Sequence, residues 1–329
     1  MSVAPECDVV VHRGGVHEST HRVHVAIVDG DGALVRSWGD VERVTLLRSV
    51  AKPVQALPLV EDGVVERFSL TPPELALCCA SHNSEDVHIE AARSILAKIG
   101  RGEADLVCGP HSPLLKGRGR EIRASGRQLT PIMSNCSGKH AGMLALAVHH
   151  GWETEGYHLP EHPVQQRMAK EVSRWSGVPR ADLGLEVDGC GVPCFGLPLK
   201  SLGVLASRFA SGAADGGPPR AVVDAMIGHP FMVAGTDRLC TALMAAADPP
   251  VFAKVGAEGV YIFGSPERRI GVALKVEDGA WRAAPPALLA VLAAANLVSH
   301  DVLGKLERFR TPLVKNTVGD VVGRLSVEL

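Results

Sequence analysis

The sequence predicts an α+β layer fold. Two observations predict it: β-branched runs broken by tight turns stand near both ends of the chain, and segments with helical periodicity fill the middle. A third sets the organisation. There is no internal repeat, no low-complexity segment and no linker convincing enough to split the chain. The 329 residues are therefore expected to form a single domain, with a mainly helical middle (about 85–250) inserted between terminal strands.

Residues 23–28 are a β-branched run, Asp29-Gly30-Asp31-Gly32 is a strong turn signal, and residues 34–38 return as a second strand, which together read as a hairpin. Residues 89–99 carry Ile89, Ala92, Ile95, Leu96 and Ile99 at the spacing of one helix face and stop at Gly100. Residues 138–150 place Ala141, Leu144 and Ala147 on one face, with Gly151 after them. Residues 165–175 and 220–227 also read as helices, and the small, Gly/Pro-rich stretch 211–219 reads as a surface loop. Strand character returns at 260–263, turns at Gly264-Ser265-Pro266-Glu267, resumes over 269–276 and turns again at Asp278-Gly279. The longest apolar stretch, 287–298, is far below the roughly 20 residues that span a bilayer and reads as a buried helix.

Apolar residues make up 46% of the chain, enough for a substantial core, and charged residues 21%, with a formal net charge of -2. That balance leaves no electrostatic footprint for nucleic acid and no polybasic lipid signal, so the expected partner is a small molecule. The start, Met1-Ser2-Val3-Ala4-Pro5-Glu6, has no basic region followed by an apolar one, and no secretory signal is expected. Eight irregularly spaced cysteines, two of them adjacent at Cys78-Cys79, fit unbridged thiols in a reducing compartment, and a cytoplasmic location is expected.

Five segments carry chemistry. In Arg48-Ser49-Val50-Ala51-Lys52-Pro53, Ser49 and Lys52 stand three apart, which on a helix puts both on one face with about 5–6 Å between Cβ atoms. A neutral lysine can take a serine proton and make the hydroxyl a nucleophile. Pro53 is tolerated in a first turn, and a serine at a helix start meets exposed N–H groups suited to developing negative charge. The bare S-x-x-K spacing equally describes a capping serine and a solvated lysine. The second segment, Ala80-Ser81-His82-Asn83-Ser84-Glu85, joins an apolar run to a helix, where small polar residues either face a pocket or cap the helix. The third, Ser134-Asn135-Cys136-Ser137-Gly138-Lys139-His140, opens onto a helix whose N–H groups can hold a carboxylate or oxyanion, or is a capped start with a buried cysteine. In the fourth, Asp188-Gly189-Cys190, Asp188 can bind an α-amino group or orient a lysine. Cys190 can join Cys136 around zinc, although no C-x-x-C pair supports that locally, and a plain Asp-Gly turn is the alternative. The fifth, Lys254-Val255-Gly256-Ala257, leads into a strand, with the lysine either approaching a ligand or facing solvent. No phosphate loop, G-x-S-x-G or G-x-G-x-x-G motif competes with these.

Together, in this order, the five segments resemble the thermolabile-type, or Rhizobium etli-type, L-asparaginase family. Arg13-Gly14-Gly15, His21-Arg22-Val23-His24, Gly156-Tyr157-His158-Leu159-Pro160, His229-Pro230 and Val233-Ala234-Gly235 extend the likeness over roughly residues 9 to 280, and the tail after Arg282 is less diagnostic. The resemblance implies a serine β-lactamase/glutaminase-like fold, in which N- and C-terminal strands share one antiparallel sheet packed with helices. It implies an L-asparagine amidohydrolase and a homodimer. The T-G-G-T-I and T-D-T segments of the threonine-nucleophile asparaginases are absent. Residue by residue, Ser49 and Lys52 match the S-x-x-K pair, and Ser81 matches a second serine that the family pairs with a lysine matching Lys254. Cys136, Lys139 and Cys190 match zinc ligands. Asp188 matches a residue engaging a ligand lysine or the substrate, and Arg48 matches a pocket arginine. Asn135, Gly138 and His140, from the third segment, are expected at the substrate. Asn83 stands where some relatives have serine.

The expected chemistry is two-step acyl transfer. Lys52 takes the proton of Ser49, Ser49 attacks the amide carbonyl, ammonia leaves, and water cleaves the ester with help from Ser81 and Lys254. Two neighbouring lysines depress each other's pKa, which favours a neutral base. Two rivals stand beside this reading: another serine acyl hydrolase (a glutaminase or β-lactamase-like enzyme), and a non-catalytic zinc-containing amino-acid-binding protein. The K-T-G segment of β-lactam-binding enzymes is not found.

Overall fold

A computed structural model describes residues 5–329; Met1 to Ala4, part of the start read for a targeting signal, lie outside the described residues. The chain forms two compact units. The first gathers the chain up to Val50, Leu197–Ala214 and Ala242–Leu329; the second gathers Ala51–Gly196 and Asp215–Thr241.

The first unit is built on an eight-stranded sheet. Its strands are β1 (Asp8–Arg13), β2 (Val16–Val28), β3 (Leu34–Trp38), β4 (Phe252–Val255), β5 (Val260–Ser265), β6 (Ile270–Val276), β7 (Leu313–Lys315) and β8 (Val321–Glu328). They run in the order β7-β8-β1-β2-β6-β5-β4, with β3 also on β2, and every pairing in this sheet is antiparallel. The α+β expectation holds, with strands from both chain ends in one sheet. The hairpin across residues 29–32 is present, and Val25 pairs with both Trp38 and Leu274. Residues 23–28 of β2 are buried without alternation, as in a strand covered on both faces. Helix Leu199–Asp215 lies close on this sheet: Gly203 faces Ala26 and Val28, and a Cβ at Gly271 would run into the backbone at Ser207. The apolar stretch near residue 290 is the buried helix Ala284–Ala294, as expected. The less diagnostic tail supplies β7 and β8, and β8 sits between β7 and β1.

The second unit is helical, with a small hairpin in which Leu185 pairs with Phe195. Its main helices are Pro72–Cys78, Asp86–Lys98, Ser137–His150, Pro163–Ser176 and Gly217–Gly228. The first opens on a capping box, Thr71 with Glu74; the third and fourth end on left-handed glycines, Gly151 and Gly177, at the position that relieves the last carbonyls. Gly138 and Gly142, one turn apart, let the third helix touch the first. A Cβ at Gly138 would collide with the Leu77 carbonyl, and one at Gly142 would stand 3.0 Å from Cys78 Sγ.

One expectation fails. Residues 211–219 are not a surface loop: helix Leu199–Asp215 runs almost into helix Gly217–Gly228, with only Gly216, at φ +108°, between them. The small residues there serve packing, since Ala210 and Ala213 are buried. The prolines fall in the first turn of the second helix, where a missing N–H has no partner to lose. Among the described residues no helix is long and apolar enough to cross a membrane.

Candidate active site

In the first unit, the turn carrying Ser49 is a 3₁₀ turn, Arg48–Ala51, which leads directly into helix Lys52–Gln55 with Pro53 in its first turn. The helix-start expectation for the S-x-x-K segment is therefore met. Arg48 adopts φ +49°, a left-handed conformation that non-glycine residues rarely take. Strain of this kind gathers at functional turns. The end of β4 lies against the same turn: a Cβ on Gly256 would stand 3.2 Å from the Leu47 carbonyl and 3.4 Å from the Ser49 nitrogen. Two residues earlier on β4, Lys254 is fully buried and donates to the Val255 carbonyl at 2.6 Å, which rules out the solvent-facing alternative.

In the second unit, Lys52 is almost entirely buried. Its Nζ donates to the Ala80 carbonyl at 2.5 Å and lies 3.1 Å from Ser81 Oγ and 3.5 Å from the Asn135 carbonyl. Ser81 follows helix Pro72–Cys78 in an irregular stretch, so no regular ladder shapes its backbone. Neighbouring His82 is buried; its Nδ1 accepts from the Ser84 N–H and its Nε2 faces Ser137 Oγ at 3.0 Å. That pattern makes Nε2 the protonated nitrogen. Burial, with His88 and Lys52 nearby, holds His82 well below the usual histidine range, and it is neutral.

At the start of helix Ser137–His150 a second cluster forms. Lys139 Nζ donates to Cys190 Sγ at 3.0 Å, and the Cys136 thiol lies 3.0 Å from Asn135 Oδ1. A hydrogen bond with Cys136, reinforced by the Lys139 charge, pulls Cys190 down to about 5, whereas the same bond and burial push Cys136 up to about 12. Burial would lower the Lys139 ammonium, but the two sulfurs beside it raise it above the usual lysine value. Asp188 stands on the turn before Cys190, with Oδ2 3.9 Å from its sulfur. His140 is buried, bound through Nδ1 to the Tyr157 hydroxyl at 2.7 Å, and pushed down to about 3 by burial and by Lys139.

The expected zinc ligands Cys136, Lys139 and Cys190 are thus gathered, and they fit a soft metal: one thiol is already poised as thiolate, and a metal would take the place of the protons on the other two donors. Among the described residues no group of three or more His, Cys, Asp or Glu is placed to hold a metal. The expected trio contains only two such residues, both cysteines, its third donor being an amine.

A family model for L-asparaginase II matches residues 9–327, nearly the whole chain. The chain belongs to the L-asparaginase II family. Membership supports a hydrolase acting on amides and a small-molecule substrate. No curated relative matches the chain. Among solved structures, the chain is similar to Mglu in its native form, with TM-score 0.47 and 16% identity over 86% of this chain and 67% of that one. It is also similar to a β-lactamase from Mycobacterium bovis (0.35, 14% identity, 83% of this chain and 94% of that one). A third likeness is to a D-alanine carboxypeptidase AmpC from Burkholderia cenocepacia (0.37, 12% identity, 87% and 92%).

For this L-asparaginase II family chain, the structure brings together Lys52, Ser81 and Asn135 in one cluster, and Cys136, Lys139, Cys190 and Asp188 in another, both within the second unit. Ser49, Arg48 and Lys254 belong to the first unit. Gly138 is buried where two helices touch. Sequence reading missed Arg238, whose Nη1 donates to the Ser81 carbonyl at 3.2 Å. Its only signal was proximity to Val233-Ala234-Gly235, which says nothing about an arginine three residues later.

Proposed function

We propose that the chain hydrolyses the side-chain amide of L-asparagine to L-aspartate and ammonia through an acyl-serine intermediate, with Lys52 as the base. The observation that carries this is the surrounding of the Lys52 amine. The Ala80 and Asn135 carbonyls take two of its N–H groups, and Ser81 Oγ, 3.1 Å away, is the neighbour with which the amine can exchange a proton. Ser49 is the attacking serine in this reading, supported by its place three residues before Lys52 and by the strained Arg48 ahead of it. Ser81 carries the proton. Attack joins Ser49 Oγ to the side-chain carbonyl carbon; the C–N bond breaks, and the proton taken from serine leaves on ammonia. Water then adds to the β-aspartyl ester, giving up its proton along the same route, and Ser49 is restored. Lys254 assists this second step.

Cys136, Lys139 and Cys190 would hold zinc, whose chemistry there is Lewis-acid anchoring of substrate. Asp188 would take the substrate ammonium, and Arg48, Asn135, Gly138 and His140 would complete the binding groups. None of the eight cysteines forms a disulfide and all are buried, which fits the cytoplasm. A homodimer belongs to the same reading, and light scattering in solution reads it directly.

Replacing Lys52 with Met tests the base. Ammonia release from L-asparagine is expected to fall by about 10²–10⁴-fold, the usual contribution of a general base. Turnover at the wild-type rate would sink the proposal. Ser49→Ala and Ser81→Ala, examined by mass spectrometry for a trapped acyl adduct, separate the two serines. A panel of asparagine, glutamine and a chromogenic β-lactam separates the substrate classes.

A further inference from the structure

Ser81 lies in a stretch with no regular secondary structure, yet its hydroxyl must stay on the Lys52 amine for the proposed proton transfer. What shapes that stretch is a loop from a distant part of the second unit. The Val233 carbonyl accepts the Ser81 N–H at 3.0 Å, and Arg238 Nη1 donates to the Ser81 carbonyl at 3.2 Å. Both backbone groups of Ser81 are therefore held by one loop, residues 233–238. The same Nη1 donates to Asn83 Oδ1 at 2.9 Å, and Asn83 Nδ2 donates to the Thr236 carbonyl at 2.7 Å. Glu85 finishes the grip, accepting from the Thr236 N–H at 3.0 Å and from its hydroxyl at 2.6 Å. Gly235, at φ +101°, permits this approach; a Cβ there would collide with Glu85 Oε2 and stand 2.8 Å from Asn83 Nδ2.

We propose that Arg238 is a positioning residue for Ser81: by bridging the Ser81 carbonyl and the Asn83 amide, it holds Ser81 Oγ in register with Lys52. The inference rests on the acyl-serine reading above. A planar guanidinium suits the task because its N–H groups point in set directions, so one nitrogen can serve two acceptors without sampling other geometries. Without it, Asn83 Oδ1 loses its partner and the Ser81 carbonyl is released. A shift of about 1 Å at a reacting group costs on the order of 100-fold in rate.

The test compares wild type, Arg238→Met, Arg238→Lys, Ser81→Ala and the Arg238→Met/Ser81→Ala double variant, by ammonia release from L-asparagine and by crystal structures. Arg238→Met is expected to lose on the order of 100-fold in kcat with KM near wild type. Arg238→Lys is expected to fall between the two, since it keeps the charge but not the fork. In the Ser81→Ala background the arginine substitution is expected to cost nothing further, because groups acting through one another are not additive. Wild-type kcat in Arg238→Met, or an equal loss with and without Ser81, overturns the proposal. If Arg238→Met does not fold, Arg238→Lys carries the comparison. If the wild-type protein releases no ammonia, the acyl-serine reading fails on its own, and the crystal structure of Arg238→Lys still decides: Ser81 Oγ displaced from Lys52 supports the positioning role, and Ser81 Oγ unmoved overturns it.

Discussion

Two buried lysines show how single residues set the chemistry. A lysine leaves water only at high cost unless its N–H groups find acceptors. Lys52 finds two carbonyls and a hydroxyl, all uncharged partners. Lys139 finds a thiolate, a partner that holds it as an ammonium. The same side chain thus meets uncharged oxygens in one place and sulfur in the other. The zinc proposal is tested at this scale. Wild-type protein exposed to zinc and desalted is expected to retain the metal, and Cys190→Ser is expected to lose it, because the thiolate already present is removed. Equal retention by elemental analysis would exclude Cys190 as a ligand.

At the scale of elements, the second unit is tied by charge as well as by apolar packing. Arg167, on helix Pro163–Ser176, reaches Glu61 at 2.7 Å and Asp62 at 2.9 Å, and also pairs with buried Glu171. Burial alone would raise Asp62, but hydrogen bonds from Arg167 and His150 bring it below the usual aspartate value. Glu74 follows the same pattern: burial opposes, and Lys98 with the Thr71 cap prevails. A carboxylate whose native pKa is depressed contributes fully above the ordinary carboxylate range and loses that contribution as pH falls through its native value. The melting temperature is therefore expected to drop below about pH 4. Arg167→Met is expected to weaken this acid dependence while lowering stability at neutral pH. An unchanged pH profile of melting in Arg167→Met would show that the network does not set it.

Across the whole molecule, each unit is assembled from separate stretches of chain, and the path passes from one unit to the other four times, after Val50, Gly196, Ala214 and Thr241. No linker marks these passages; two fall in helices, Leu199–Asp215 just before its end and Leu239–Ala246 near its start. The second unit consequently needs Asp215–Thr241, which supplies helix Gly217–Gly228 against Pro72–Cys78 as well as the loop that holds Ser81. A fragment of residues 51–196 is expected to unfold without a cooperative transition in urea, followed by circular dichroism. A sharp transition in that fragment would show its core to be self-sufficient.

Local periodicity and turn chemistry were legible from residue order alone: the N-terminal hairpin, the helices around 89–99 and 138–150, and the C-terminal strands all stand where their patterns put them. So were the reactive residue types and the family, because those depend on which side chains are present. Partnership was not legible. The Ser81 hydroxyl stands 3.1 Å from the Lys52 amine, 29 positions away, a contact that S-x-x-K spacing does not contain. Arg238, 157 positions from Ser81, carried no pattern at all. Short-range order follows from backbone sterics and apolar spacing within a few residues. Which amine meets which hydroxyl is settled only when helices close on one another, as at Gly138 against Leu77, and no window of sequence contains that contact.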